Sequence, residues 1–178
     1  MSTSSNERRT ALYAGLNRAV RLFIAGSSMY SQRVAEKLGL HPTDLQFLNV
    51  LELLGPLTPK VLGQFSGLSS GGVTVVLDRL EKAGYARRRP NPDDGRSIVV
   101  DFSPPMRRKV KAQYQGVDQQ FAGLLESSSE AELDTVLAFF AKMNAARSAS
   151  HFAKAFKEAR GKVDPELPLG FSLIPPQS

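Results

Sequence analysis

Apolar residues recur along most of this chain with the period of an α-helix and switch once to the period of a strand. From Thr10, the residues Leu12, Leu16, Ala19, Val20 and Phe23 form the stripe of an amphipathic helix ending near Gly26. A short helix is predicted over Tyr30–Leu38, stopped by Gly39. The segment Pro42-Thr43-Asp44-Leu45-Gln46 reads as the next helix start, with Thr43 as N-cap and Gln46 as its capping-box partner. Leu45, Leu48, Leu51 and Leu54 run down one side of that helix until Gly55-Pro56. Thr58-Pro59, a cap followed by proline at the first helical position, opens a short helix to Phe65. After the turn Ser66-Gly67-Leu68, a longer helix runs from about Ser69 to Ala83, with Gly84 just past its end. Two helices joined by a tight glycine-containing turn predict a helix-turn-helix.

The pattern then turns β-like. Tyr85–Arg89 and Ser97–Phe102 flank Pro90-Asn91-Pro92-Asp93-Asp94-Gly95, a run of turn-forming residues that predicts a hairpin. Pro104-Pro105 opens a long helix to about Glu126. Ser129 and Glu132 form a capping box for a last helix that carries Leu133, Val136, Leu137, Phe140 and Met143 and runs to about Phe156. The expected fold is mainly α with a small β-wing. Its segments are a flexible N-terminus (1–9), N-terminal helices (10–40), a helix-turn-helix with its hairpin (41–103), C-terminal helices (104–160) and a Pro-rich tail (161–178). Leu167, Leu169, Phe171, Leu173 and Ile174 make that tail too apolar for a typical disordered appendage. It either packs over a partner subunit or a ligand region, or hangs free.

Charge changes this picture in one place. Between Arg87 and Lys111 stand eight Lys/Arg against three Asp, an excess of +5, while the whole 178-residue chain carries +6. Basic charge gathered on one device points to a polyanion partner. Other chemistry has little to be built from. There are no cysteines, which excludes disulfides, thiolate metal sites and thiol redox sensing, and only two histidines, His41 and His151. Glu52, His41 and Asp44 lie close in sequence but read as a helix start and its exposed face, so no enzyme, metal site or cofactor is expected. No apolar run approaches the roughly 20 residues of a membrane span. The polar start lacks the core of a signal peptide, so a cytoplasmic protein is expected.

On the helix from Ser69, Val73, Val76, Leu77 and Leu80 share the inner face. The outer face carries Gly71, Val75 and Asp78, flanked by Ser70, Thr74 and Arg79. A small, hydroxylated surface of this kind enters a major groove closely, and Ser and Thr hydroxyls can donate or accept at base edges. Gly71 and Gly72 either permit close backbone approach to DNA or sit in a first turn where glycine costs little. Val75 either meets a thymine methyl or is an ordinary exposed valine. Arg79 either reaches a phosphate or, like Lys82, is part of a solvated face. Asp78 lies at the groove edge or pairs with a nearby arginine. Strand alternation puts Arg87 and Arg89 on one face of the hairpin and Arg88 on the other. Arg96, beside the turn, is placed for minor-groove insertion, with Asp94 as a bidentate partner to hold it.

Three features, in order and spacing, resemble the MarR family of winged helix-turn-helix transcription regulators: Val73-Thr74 followed by Leu77-Asp78-Arg79-Leu80-Glu81, then Ala83-Gly84-Tyr85 with Arg87-Arg88, then Pro92-x-Asp94-x-Arg96. The resemblance implies a homodimer joined through N- and C-terminal dimerisation helices, each subunit presenting its recognition helix to half of a pseudo-palindromic double-stranded DNA operator. It also implies repression relieved by a small, often aromatic, effector. By position it places Ser69, Ser70 and Thr74 in the major groove and Asp94 and Arg96 at the wing tip. The chain departs from the family at Gly95 and Val75, where arginines are common, and lacks the cysteine of the family's peroxide sensors. The alternative is a constitutive or architectural DNA binder.

Overall fold

The computed structural model describes residues 2–148. The far end of the last predicted helix and the apolar tail from 161 lie outside them. The chain divides into two compact units at Pro42/Thr43.

The first unit is one helix, α1 (Ser2–Leu38). Where the spacing predicts a flexible start and two helices parted near Gly26, the helix is continuous from Ser2. Gly26 is not among the described glycines with positive φ. A right-handed glycine lowers helix stability by about 1 kcal/mol relative to alanine without ending the helix. The true stop is Gly39, at φ 67°. Its N–H donates to the Glu36 carbonyl and the Leu40 N–H to the Ala35 carbonyl, which satisfies the last turn.

The second unit begins with α2 (Pro42–Leu54), α3 (Pro59–Ser66) and α4 (Ser70–Lys82). Helix α2 starts at Pro42, which puts Thr43 in its first turn. Thr58 caps α3 as expected, its hydroxyl accepting the Val61 N–H at 3.3 Å. Gly67, at φ 70°, ends α3 in the left-handed region and turns the chain toward α4. The core is aliphatic: Leu45, Leu48, Leu51 and Leu54 of α2, Val61 and Leu62 of α3, and Val73, Val76, Leu77 and Leu80 of α4 are buried. Gly63 marks a close approach in this motif, since a Cβ there would lie 3.2 Å from Val73 Cγ2. Gly84, at φ 73°, closes α4, with the Tyr85 N–H reaching back to the Leu80 carbonyl.

The wing is an antiparallel pair, β1 (Ala86–Asn91) and β2 (Asp94–Phe102). The strands run further into the turn than predicted, with a register shift between Pro90 and Asn91. Val99, Val100 and Phe102 are buried. Leu57, between α2 and α3, exchanges both backbone hydrogen bonds with Val100 at 3.2 and 2.7 Å, tying the wing to the helical motif.

The long helix predicted from Pro104 is two, α5 (Pro104–Ala112) and α6 (Gln115–Glu126), separated at Gln113-Tyr114. Helix α7 (Glu130–Ser148) opens on the expected capping box. Ser129 Oγ accepts the Glu132 N–H at 3.4 Å, and the Glu132 carboxylate accepts the Ser129 N–H at 2.9 Å. No helix among the described residues is long and apolar enough to cross a membrane, and none of them cluster as a metal site.

Candidate nucleic-acid interface

The N-terminal half of α4 offers a small, exposed surface. Ser69 is its N-cap, with Oγ accepting the Gly72 N–H at 3.2 Å, so the hydroxyl keeps its own proton to donate. Thr74 Oγ1 donates to the Ser70 carbonyl at 3.0 Å and keeps its acceptor lone pairs. Ser70, Gly71, Thr74 and Val75 are exposed, and a Cβ built on Gly71 meets nothing within 4 Å. Four of the predicted positions therefore lie together at one end of one helix face.

The arginines divide into braces and a free tip. Arg88 faces α4, on the opposite side of the hairpin from Arg87 and Arg89. Its guanidinium contacts Asp78 at 2.8 Å and also Glu81, and its backbone N–H donates to Glu81 at 2.6 Å. Burial pulls the Arg88 pKa down, but hydrogen bonding to Asp78 and the charge of Glu81 outweigh it and leave it raised. Arg87 and Arg89 share one face, as alternation predicts, and both reach Asp101, at 3.4 and 3.3 Å. Register puts Asp101 directly opposite Arg87.

Arg79 does not extend freely from the solvated side of α4. Its Nε and Nη2 donate to the two oxygens of Asp44 at 3.1 and 2.5 Å. These hydrogen bonds hold the Arg79 pKa above its ordinary value against the opposing effect of burial. Asp44, expected on an exposed helix face, is buried with 4% of its side chain accessible. Glu52 keeps the exposed position but pairs with Arg107 at 2.8 Å. Asp44 as a partner for Arg79 left no local trace, because the two stand 35 residues apart.

At the wing tip the expected Asp94–Arg96 side-chain pair is absent. The Asp94 carboxylate instead accepts the Arg96 backbone N–H at 3.1 Å, an Asx turn. Asn91 Nδ2 donates to Ser97 Oγ at 2.9 Å, and Asn91 Oδ1 accepts the Asp93 N–H at 3.1 Å. The turn is thus braced by short side chains while the Arg96 guanidinium is left exposed. Lys109 lies 5.7 Å over the Tyr85 ring and Arg107 5.5 Å over that of Phe102. Of the eight basic residues in this stretch, Arg96, Arg108, Lys109 and Lys111 have no ion pair among the described residues.

Known proteins resemble this chain in sequence and in fold. The model of the MarR family matches residues 38–97. The uncharacterized HTH-type transcriptional regulator YcgE of Bacillus subtilis is 36% identical over 114 residues, which cover 64% of this chain and 74% of that protein. Among solved structures, a MarR family protein from Bacillus stearothermophilus superposes with a TM-score of 0.60 at 19% identity, over 78% of this chain and 97% of that one. Wild-type MarR from E. coli, in its apo form, gives 0.51 at 22% identity, over 72% and 95%. At such identities the two structures speak for the winged-helix fold alone. The family match and the length of the YcgE alignment carry the assignment further: this chain belongs to the MarR family of DNA-binding transcriptional regulators.

Proposed function

We propose that the protein is a homodimeric, sequence-specific repressor that binds a pseudo-palindromic double-stranded operator and is released by a small effector. One observation carries the DNA-reading part. Ser70, Gly71, Thr74 and Val75 form an exposed, sterically open helix face, and the unpaired Arg96 tips a wing that Arg88 ties to the same helix. In this reading α4 enters the major groove and Arg96 the minor groove, where a narrow A·T-rich stretch attracts guanidinium. Asp94 acts by shaping the turn, Arg87 and Arg89 line the wing at phosphate height, and Arg88 sets the wing's angle.

Exposed apolar stripes support the dimer. Helix α1 leaves Leu12, Leu16 and Phe23 exposed, α6 leaves Val117, Phe121 and Leu124, and α7 leaves Val136, Leu137 and Phe140. Large apolar side chains left exposed along each of these helices are the kind of surface that an association site covers. Membership of the family supports the effector.

Mass photometry with a duplex selected by the protein tests the assembly. Two protomers per duplex, and a dimer in its absence, are expected; one protomer per duplex contradicts the proposal. Release of that duplex by a small aromatic acid at micromolar to millimolar concentration tests the effector. Binding that no compound in a broad panel weakens would favour a constitutive binder.

A further inference from the structure

Asp44 is the single buried charged residue among the described residues of the core, at 3% exposure. It stands in the first turn of α2, and both its oxygens are taken by the guanidinium fork of Arg79, on α4. The rest of the inner face of α4 is aliphatic. Such contacts are non-directional and set the rotation of a helix less sharply than a directional bond does. A bidentate carboxylate–guanidinium pair has a fixed plane and length. The preceding residue, Asp78, is bound to Arg88 on β1. Two consecutive residues of α4 are thereby pinned to two different elements, α2 and the wing.

We infer that Asp44 is a positioning residue for DNA recognition: through Arg79 it fixes the rotation and depth of α4, and neither side chain of the pair touches DNA. The inference rests on the DNA-reading function proposed above. Arg79, although a cation on the recognition helix, then contributes nothing to counterion release.

The probe is a duplex selected by the wild-type protein from a randomised library, compared with an unrelated duplex of equal length. Asp44→Asn keeps the shape of the buried side chain and removes its charge. Arg79→Lys keeps the cation and removes the fork. Each is expected to weaken the selected duplex about tenfold per folded molecule, the size of an ordinary coupling between contacting residues. Binding to the unrelated duplex and the slope of log affinity against log salt should not change. The double variant should be no weaker than either single one, because both break the same link. Melting curves supply the folded fraction. Unchanged affinity per folded molecule in both variants would reduce the pair to a stability element and overturn the inference. So would an Arg79→Gln variant whose salt slope falls by about 0.9, the signature of one lost phosphate contact. If the wild-type protein enriches no duplex, the DNA-reading function fails first, and the inference with it.

Discussion

An alanine at position 71 adds one methyl group to the outer face of α4, at the end of the helix that is open to solvent. Gly71 has no neighbour within 4 Å of an added Cβ and is not among the glycines with positive φ, so the free protein can accept the methyl without strain. In the helix it should gain stability, up to about 1 kcal/mol and less in a first turn. Against DNA the sign reverses. If α4 lies in the major groove with its backbone close to the bases, the methyl occupies space the interface does not have. Overpacking of a well-fitted contact costs about 1–3 kcal/mol. That corresponds to roughly a 5- to 150-fold rise in Kd. Fluorescence anisotropy on a selected duplex at fixed salt, beside a thermal melt of the same preparation, reads both quantities. Binding that is unchanged or tighter in a variant with an equal or higher melting temperature would refute close approach at this position, and with it the reason for a glycine on the reading face.

Arg96→Ala should cost about 1–3 kcal/mol of affinity, mainly at A·T-rich flanks, without moving the melting temperature; equal affinity across flanking sequences would show that the wing tip does not read DNA. Gly67→Ala forces a side chain into the left-handed region at φ 70° and should destabilise the fold by about 1–2 kcal/mol in urea titration, whereas an unchanged midpoint would mean the α3–α4 turn relaxes. Hydrogen bonds from Ser129 lower the Glu132 pKa below its ordinary 4.5. A carboxylate with a lowered folded-state pKa stabilises above its unfolded value and loses that contribution as pH falls through the folded one. Amide protection at the start of α7, measured relative to the intrinsic exchange rate at each pH, should therefore fall below about pH 4.5 in the wild type and already be low in Glu132→Ala; identical protection profiles for the two proteins would remove the capping box from the account.

What the residue pattern foretold and what it did not divide along a physical line. The leucines of α2 and the inner face of α4 were legible because helical periodicity is local. So were the cap at Thr58, the stop at Gly84 and the capping box at Ser129 and Glu132, each carried within a few residues. The continuity of α1 was not, because Gly26-Ser27-Ser28 are weak helix formers whose small penalties the flanking turns outweigh. The break between α5 and α6 falls at Gln113-Tyr114, where neither residue is a helix breaker. Charge was the least readable quantity. Counting cations marked the hairpin as the site, but it could not show that Asp101 lies across from Arg87 or that Asp44 waits beneath Arg79. Four of the eight basic residues from Arg87 to Lys111 are in ion pairs with carboxylates. The salt dependence of DNA binding should accordingly reflect the free cations rather than the total.

The central claim is that this winged helix reads DNA sequence as a symmetric pair. Sequencing the fragments that the purified protein retains from sheared genomic DNA, at physiological salt and with excess non-specific competitor, tests it most directly. The account predicts a few sharp peaks sharing an inverted repeat whose half-sites lie about one helical turn apart. Even recovery across the genome, or peaks built on a single unrepeated half-site, would contradict it.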